Sequence, residues 1–400
     1  MPDRPLTQAG TIYLNRQDDQ VRALRLRLPE PEAAATRWLC GRDFSEVPAL
    51  VQGIESWSRV PAALSACRAV ELAVGATLDP ELAMLRRLLA CADWIRSHSR
   101  HIYTFQAVCL MGFPSLIAMG RAYPAAVNRA RRLARLGGDL LNAVAGPRLA
   151  HLRVGGFSQL PEARALRALE PALEWARQAA TDTISLLSRI PFPRFDRDYR
   201  FLALDAADIS GSLQLATAHG VRPLAALEPM LEQDGACHVG PLARYALLRP
   251  QLPSAVIASS KLGRECRNPF KSVTVRASEL AWAVDEALAI IRGYRVPARP
   301  AVAVQPRAGA GCGGAEGALG LWSVAIELDG EGKVRNARIF TPSSINRRAM
   351  ERDLLDYLRL RARPEQHDHL LLKEAGQLLG NYDPSLFQRL QLVEPETSDL

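Results

Sequence analysis

The 400-residue chain contains no CxxC pair, and its seven cysteines (40, 67, 91, 109, 237, 266 and 312) are scattered and odd in number. That excludes a disulfide scaffold and a zinc ribbon, and it points to reduced thiols in a cytoplasm. Cys67, Cys91 and Cys109 sit in apolar helical text and read as small core residues. Lysine is nearly missing, present only at Lys261, Lys271, Lys333 and Lys373, so arginine carries the formal charge of +8 and the pI near 9.3. These arginines are interleaved with Asp and Glu. The densest run, Arg129 to Arg135, has leucines at 133 and 136 and no interleaved aromatics, so it reads as the solvated face of a helix and not as a nucleic-acid stripe. A membrane span is also lacking: Ile102 to Met119 is broken by Gln106, Gly112 and Pro114, where a span wants ~20 unbroken apolar residues. No secretory or twin-arginine leader precedes Thr11. No internal repeat and no GxGxxG after a strand is present, and His151 to Phe157 (HLRVGGF) reads as a plain glycine turn.

What is present is a globular chain with 48% hydrophobic residues, ample for a large core. Residues 10 to 28 read as a β-hairpin, with arginines alternating against aliphatics from Val21 to Leu28. Gly41 to Gly75 opens with turn chemistry and then offers two helical runs, 49 to 57 and 62 to 74, divided at Val60-Pro61. Glu55 and Ser58 stand three apart before that division, where they either cap the following helix or offer oxygens to a hard metal. A helix begins at Asp79-Pro80-Glu81, and His98 and His101 fall on one of its faces, as buried hydrogen-bonded residues or as half of a metal site. Long helices are expected over 123 to 145, 161 to 190 and Ser278 to Tyr294, with short strands near Phe201 to Leu204 and Ser212 to Ala216. The Pro/Gly-rich segment Val296 to Gly314 reads as a linker or long loop. It leads into a hairpin over 322 to 340, turned at AspGlyGluGly, and the chain closes helical and then irregular from Ala349. The length allows one large domain or two to three ordinary ones; the α+β fold class, a long-helix bundle with peripheral hairpins in one domain spanning 1 to 400, is what the resemblance carried by the following strings implies.

Several strings, in order, carry a resemblance. ValGlyProLeuAlaArg at 239 to 244 resembles the VGPLAR segment of the nickel-iron hydrogenase large subunit. SerHisSerArgHisIleTyr at 97 to 103 is similar to its SHxxHFY, HLRVGGF to its HPxxxPGG-type turn, and GlyAlaLeuGlyLeuTrp at 317 to 322 to its GALGHW. ThrProSerSerIleAsn at 341 to 346 resembles PTTWN, and Asp383-Pro384 the start of the closing DPCxxC. GlyArgAsp at 41 to 43 sets the register of a segment like GRDxxDAPxxxxRICGxC and brings AlaValGlu at 69 to 71 onto the family's ALE.

The departures lie at the metal ligands. The register puts the RICGxC cysteines on Glu55 and Ser58, and those of DPCxxC on Ser385 and Gln388. The active-site arginine before GALGHW becomes Glu316, the histidine of that string Leu321, and the tryptophan of PTTWN Ile345. Four soft thiolates hold nickel beside iron, and hard or neutral oxygen donors do not reproduce that field. The resemblance therefore implies no catalytic residues and points to the HupK/HoxV group of hydrogenase accessory proteins. It implies a cytoplasmic, non-enzymatic scaffold in metallocentre assembly that carries or receives the Fe(CN)2CO unit. Its implied partners are Hyp-type accessory proteins, above all the small HypC-like chaperone, and the hydrogenase large subunit. The expected cleft is walled by Glu55 and Ser58 on one side and Ser385 and Gln388 on the other, with His98, His101, Arg244, Cys312, Glu316 and Asp383 nearby. Cys312, in the glycine-rich loop, is the one thiol positioned to replace a lost ligand. Two other readings stay open: an interaction subunit that docks a small iron-sulfur partner, and an enzyme whose oxygen and nitrogen ligands hold a different metal.

Overall fold

The computed structural model describes residues 10–17, 20–55, 57–205, 213–233, 236–248, 262–263, 265–361, 367–386 and 390–393. Two strands open the chain, β1 (Gly10–Gln17) and β2 (Gln20–Arg27). The long helices that follow are α1 (Arg59–Val74), α2 (Pro80–His101), α3 (Pro124–Ala145) and α4 (Glu170–Leu187). Proline stands in the first turn of each, where its missing N–H would have no helical partner anyway. That includes Pro61, so Val60-Pro61 lies inside the start of α1 and does not divide two helices.

Helix α2 runs through the middle of the largest core cluster. Leu82, Leu85, Leu88, Leu89, Ala92 and Ile95 are fully enclosed, and α3, α4 and α5 (Ser272–Gly293) pack around it. Helix α3 buries Val127, Ala130, Leu133, Leu136, Leu140 and Val144, a 3.6-period stripe, and leaves Arg131, Arg132 and Arg135 exposed. At its C-terminus α2 passes into a π-helical turn, Ile102–Gln106. Helix α5 starts at Ser272, before the expected Ser278, so it includes Arg276. The expected helix over 161 to 190 is broken into Ala163–Arg167 and α4.

A second layer packs α1 on an antiparallel sheet. A small sheet intervenes in the chain, β3 (Arg200–Leu204), β4 (Gln214–Thr217), β5 (Gly220–Pro223) and β6 (Cys237–His238), ordered β5-β4-β3-β6. The sheet under α1 follows as β7 (Gly309–Glu316), β8 (Leu321–Leu328) and β9 (Val334–Phe340), with β8 central. The glycines of β7 are what allow the approach. A Cβ at Gly309, Gly311 or Gly313 would run into the helix backbone at Ala73, Ala69 and Ser65 respectively. Two strand residues advance about 6.6 Å and four helix residues about 6 Å, so the two series stay in step. The Pro/Gly-rich stretch is thus a loop only to about residue 308; its glycines belong to a core strand.

The N-terminal hairpin gains a third strand: β10 (Leu390–Val393) adds parallel to β1, with Ile12 opposite Leu392. Ile12, Leu14, Leu24 and Leu26 face helices α6 (Pro342–Arg361) and α7 (Asp368–Leu379), while Arg22, Arg25 and Arg27 stay exposed. Among the described residues, no helix is long and apolar enough to cross a membrane.

Candidate functional site

Three of the strings singled out in the sequence meet at the end of the bundle. Gly240 (φ +113°) and Gly320 (φ +144°) lie against each other, because a Cβ on Gly240 would strike the carbonyl of Leu319 and one on Gly320 would crowd Gly240 N. Asn346, from α6, clamps the first turn: its Oδ1 accepts from Val239 N at 2.8 Å, and its Nδ2 donates to Val239 O at 3.2 Å. Arg276 ties the second turn to the chain end, donating to Ala318 O at 2.5 Å and Asn381 O at 2.8 Å.

Arg244 occupies the centre of this junction. Its guanidinium donates to both oxygens of Glu279 (2.6 and 2.8 Å), to Glu316 Oε2 (2.6 Å) and to Gly317 O (2.9 Å), and it lies 4.6 Å above the Trp94 ring. Burial alone would lower the pKa of Arg244, but Glu279 and Glu316 raise it. Burial would raise that of Glu279, and Arg244 and His98 together bring it down. Glu316 also accepts from Leu204 N at 3.0 Å; burial raises its pKa against the pull of Arg244. His98 Nε2 sits 3.0 Å from Glu279 Oε2 without hydrogen-bond alignment. Burial pushes its pKa down to about 4 despite Glu279, because Arg276 and Arg244 also face it, so it is neutral at pH 7. His101 pairs through Nε2 with Gly380 O at 2.8 Å, and burial holds its pKa well below the ordinary value. Both histidines are fully enclosed.

A second group lies at the entry to α1. Ser58 holds the N-cap position of α1, but its side chain makes no cap bond. It faces Glu55 instead. Burial raises the Glu55 pKa to about 8, with the charges of Asp383 and Glu32 adding to the rise and the hydroxyls of Ser58 and Thr341 opposing it. Glu55 Oε2 is buried without a hydrogen-bond partner. Thr341 and Ser344 form a reciprocal cap at the start of α6, Ser344 N donating to Thr341 Oγ1 (3.1 Å) and Thr341 N to Ser344 Oγ (2.9 Å). Next to them, Asp383 accepts from Ser343 Oγ (3.2 Å) and from Ser385 N (2.8 Å), which fixes the closing turn. Glu55, Ser58 and Asp383 thus share one corner, and Ser385 is tied to it by its backbone. Gln388 lies outside the described residues.

Cys312 departs from expectation. It lies on strand β7, on the face opposite the α1-facing glycines, with Sγ 3.6 Å from Ser323 Oγ beside the cluster built by Leu204, Leu215 and Leu224. Burial raises its pKa, which leaves a protonated thiol in place of a ligating thiolate. The alternation of the strand decides this, and it was hidden while the segment was read as a loop. Sequence reasoning also missed Glu279, Arg276 and Thr341. Arg276 and Glu279, three apart in the apolar text SVTVRASELAWAV, were the available signal for a buried charged pair.

The donor set does not fit a nickel-iron centre. The corner offers a carboxyl that is mostly protonated at pH 7 and two hydroxyls where soft thiolates are needed. Among the described residues, no group of three or more His, Cys, Asp or Glu side chains converges as a metal site. A further buried ion pair ties the helix of the opening stretch to a neighbouring turn. Glu71, of AlaValGlu, is buried in a two-pronged pair with Arg86 (2.5 and 2.9 Å) and accepts from Gly155 N (2.8 Å), anchoring the HLRVGGF turn.

Comparisons with known proteins agree with this architecture. No protein-family profile matches the chain. It is 25% identical to the sulfhydrogenase 1 subunit alpha of Pyrococcus furiosus over 96% of this chain and 95% of that protein. It is also 23% identical to the sulfhydrogenase 2 subunit alpha of the same organism, over 36% of each. Among solved structures it is similar to an NAD+-reducing [NiFe]-hydrogenase in the H2-reduced state, with a TM-score of 0.79 and 19% identity over 94% of this chain and 95% of that one. A [NiFeSe] hydrogenase variant of Desulfovibrio vulgaris Hildenborough gives a TM-score of 0.68 at 15% identity, with the same coverage. The chain therefore carries a nickel-iron hydrogenase large-subunit-like fold, and its sequence is similar to a sulfhydrogenase alpha subunit along nearly its whole length.

Proposed function

We propose that this chain is a non-catalytic scaffold of the HupK/HoxV kind, acting in the cytoplasm in the assembly of a nickel-iron hydrogenase. What supports the reading is the absence of any cysteine at Glu55, Ser58, Ser385 and Gln388, the positions onto which the resemblance maps the ligands, within a large-subunit-like fold. A shell that keeps the shape of the client and lacks its soft ligands suits transient handling of an Fe(CN)2CO unit, or of a partner segment, better than turnover. The Glu55 Oε2, left without a partner, gives such cargo a hydrogen-bonding contact in place of a permanent bond. The proposed partners are Hyp-type accessory proteins, including a HypC-like chaperone, and the hydrogenase large subunit.

A second reading has one observation behind it. The relative matched over almost its full length is named as a subunit of a larger enzyme, which favours an interaction subunit that docks a small iron-sulfur partner. Anaerobic copurification from hydrogenase-expressing cells separates the two. Accessory proteins on the column, with cyanide and carbonyl stretching bands in the infrared, support the scaffold. A stable iron-sulfur subunit favours the second reading, and nickel-dependent hydrogen turnover by the purified chain would overturn both.

A further inference from the structure

We infer that the cavity between the start of α1, the outer face of α2 and the end of α3 binds a small phosphate-type anion that retains an O–H or N–H donor. This inference is independent of the proposed scaffold role. The cavity has a volume of about 350 Å³, within the range of small-molecule sites. One face of α2 lines it at helical spacing, Asp93, Arg96, Ser97 and Arg100, while Trp94 and His98, on a neighbouring face, turn to the Arg244 junction. Arg59 and Arg148 complete the wall.

Positive charge is in excess here, four guanidiniums against the single carboxyl of Asp93 in the lining. Arg59, Arg96, Arg100 and Arg148 form no ion pair among the described residues, in a chain whose other arginines repeatedly find carboxylates. Arg100 instead lies 4.4 Å above the Trp57 ring, and burial beside Arg96 lowers its pKa. Four guanidiniums around one concavity favour an oxyanion, which takes several charge-assisted hydrogen bonds.

The floor adds selectivity. Asp93 is only 6% exposed; its Oδ1 accepts from Ser97 Oγ at 3.3 Å, and its Oδ2 is buried without a partner. Burial raises its pKa to about 7 against Ser97, Arg96 and Arg100, so at pH 8 it is mostly ionised and accepts only. A carboxylate at the base of an anion site repels a ligand that cannot give it a proton. Hydrogen phosphate supplies one, whereas sulfate and a protein carboxylate do not.

Titration calorimetry on the full chain at pH 8 and low ionic strength, with sodium phosphate and then sodium sulfate, tests this. Phosphate is expected to bind at least about tenfold more tightly than sulfate, because a site built around a polar group rejects the ligand that leaves it unpaired. Arg96→Ala combined with Arg148→Ala, both at exposed positions, should abolish binding with the ligand-free melting temperature unchanged. Asp93→Asn should erase the preference, since an amide donates to sulfate. Absence of phosphate binding overturns the inference, as does binding that survives loss of both arginines, or equal affinity for the two anions in the unaltered protein. If free phosphate fails while the arginine variant loses a protein partner, the patch is a protein contact and not a ligand site.

Discussion

Two buried charged regions, the Arg244 junction and the Glu55 corner, have been resolved in opposite ways. At Arg244 a guanidinium meets two carboxylates and a carbonyl, and every bond is short and direct. The acid at position 316 fills that pattern by also accepting from Leu204 N. At Glu55 the carboxyl faces two hydroxyls and two further acids, and one of its oxygens has no partner. A buried charge is stable when its counter-charge is aligned, and it discharges by protonation when none is present. The charge of Glu316 is thus absorbed into the structure, whereas Glu55 leaves a site with unmet bonding capacity.

The largest effect should come from breaking the compensated side. Arg244→Ala strands Glu279 and Glu316 together in the core and should cost about 3–5 kcal/mol in chemical denaturation. Forcing the two regions apart comes next. Gly313→Val sets a side chain into the backbone of α1 at Ser65 and separates the strand of Glu316 from the helix of Ser58, for about 1–3 kcal/mol or more.

The uncompensated side should respond to pH. The folded pKa of Glu55, about 8, lies above the ordinary carboxyl value of 4.5, so the folded state holds the extra proton between them. Its contribution is full below pH 4.5 and is lost as pH rises through 8, and Glu55→Gln should remove that slope. Allowing for screening at a half-buried group, the difference at pH 9 is on the order of 1–3 kcal/mol, measured as melting curves across pH. A protonated carboxyl band in the infrared at pH 7, absent from the Gln variant, is the direct check. Ser58→Ala should be the mildest change. An N-cap serine ordinarily contributes ~1 kcal/mol, but this one makes no cap bond, so less than ~0.5 kcal/mol is expected. A full capping cost would mean that the hydroxyl serves the helix and not Glu55.

Much of this was legible in the residues. The ordered strings VGPLAR, GALGLW, TPSSIN and DP located the junction, and the 3.6-residue stripe of α3 sorted its arginines to the surface. The N-terminal hairpin was visible because alternation needs only local spacing. What escaped depended on distant partners. The glycines of β7 looked like a linker because their use is the approach of α1, which lies far away in the chain. The third strand of the N-terminal sheet comes from the other end of the molecule. Cys312 was misjudged for the same reason, since a residue's face has no meaning until the segment is known to be a strand.

The sequence by itself determined which residue types stand at positions 55, 58, 385 and 388, and none of Glu55, Ser58, Ser385 and Gln388 carries a thiolate. Composition and register suffice for that, because ligand softness belongs to the side chain. Only the tertiary structure decided what became of Glu55 and Ser58. Whether an acid is paired or orphaned, and whether an arginine meets a carboxylate or an open cavity, is set by burial and by neighbours that spacing along the chain does not reveal.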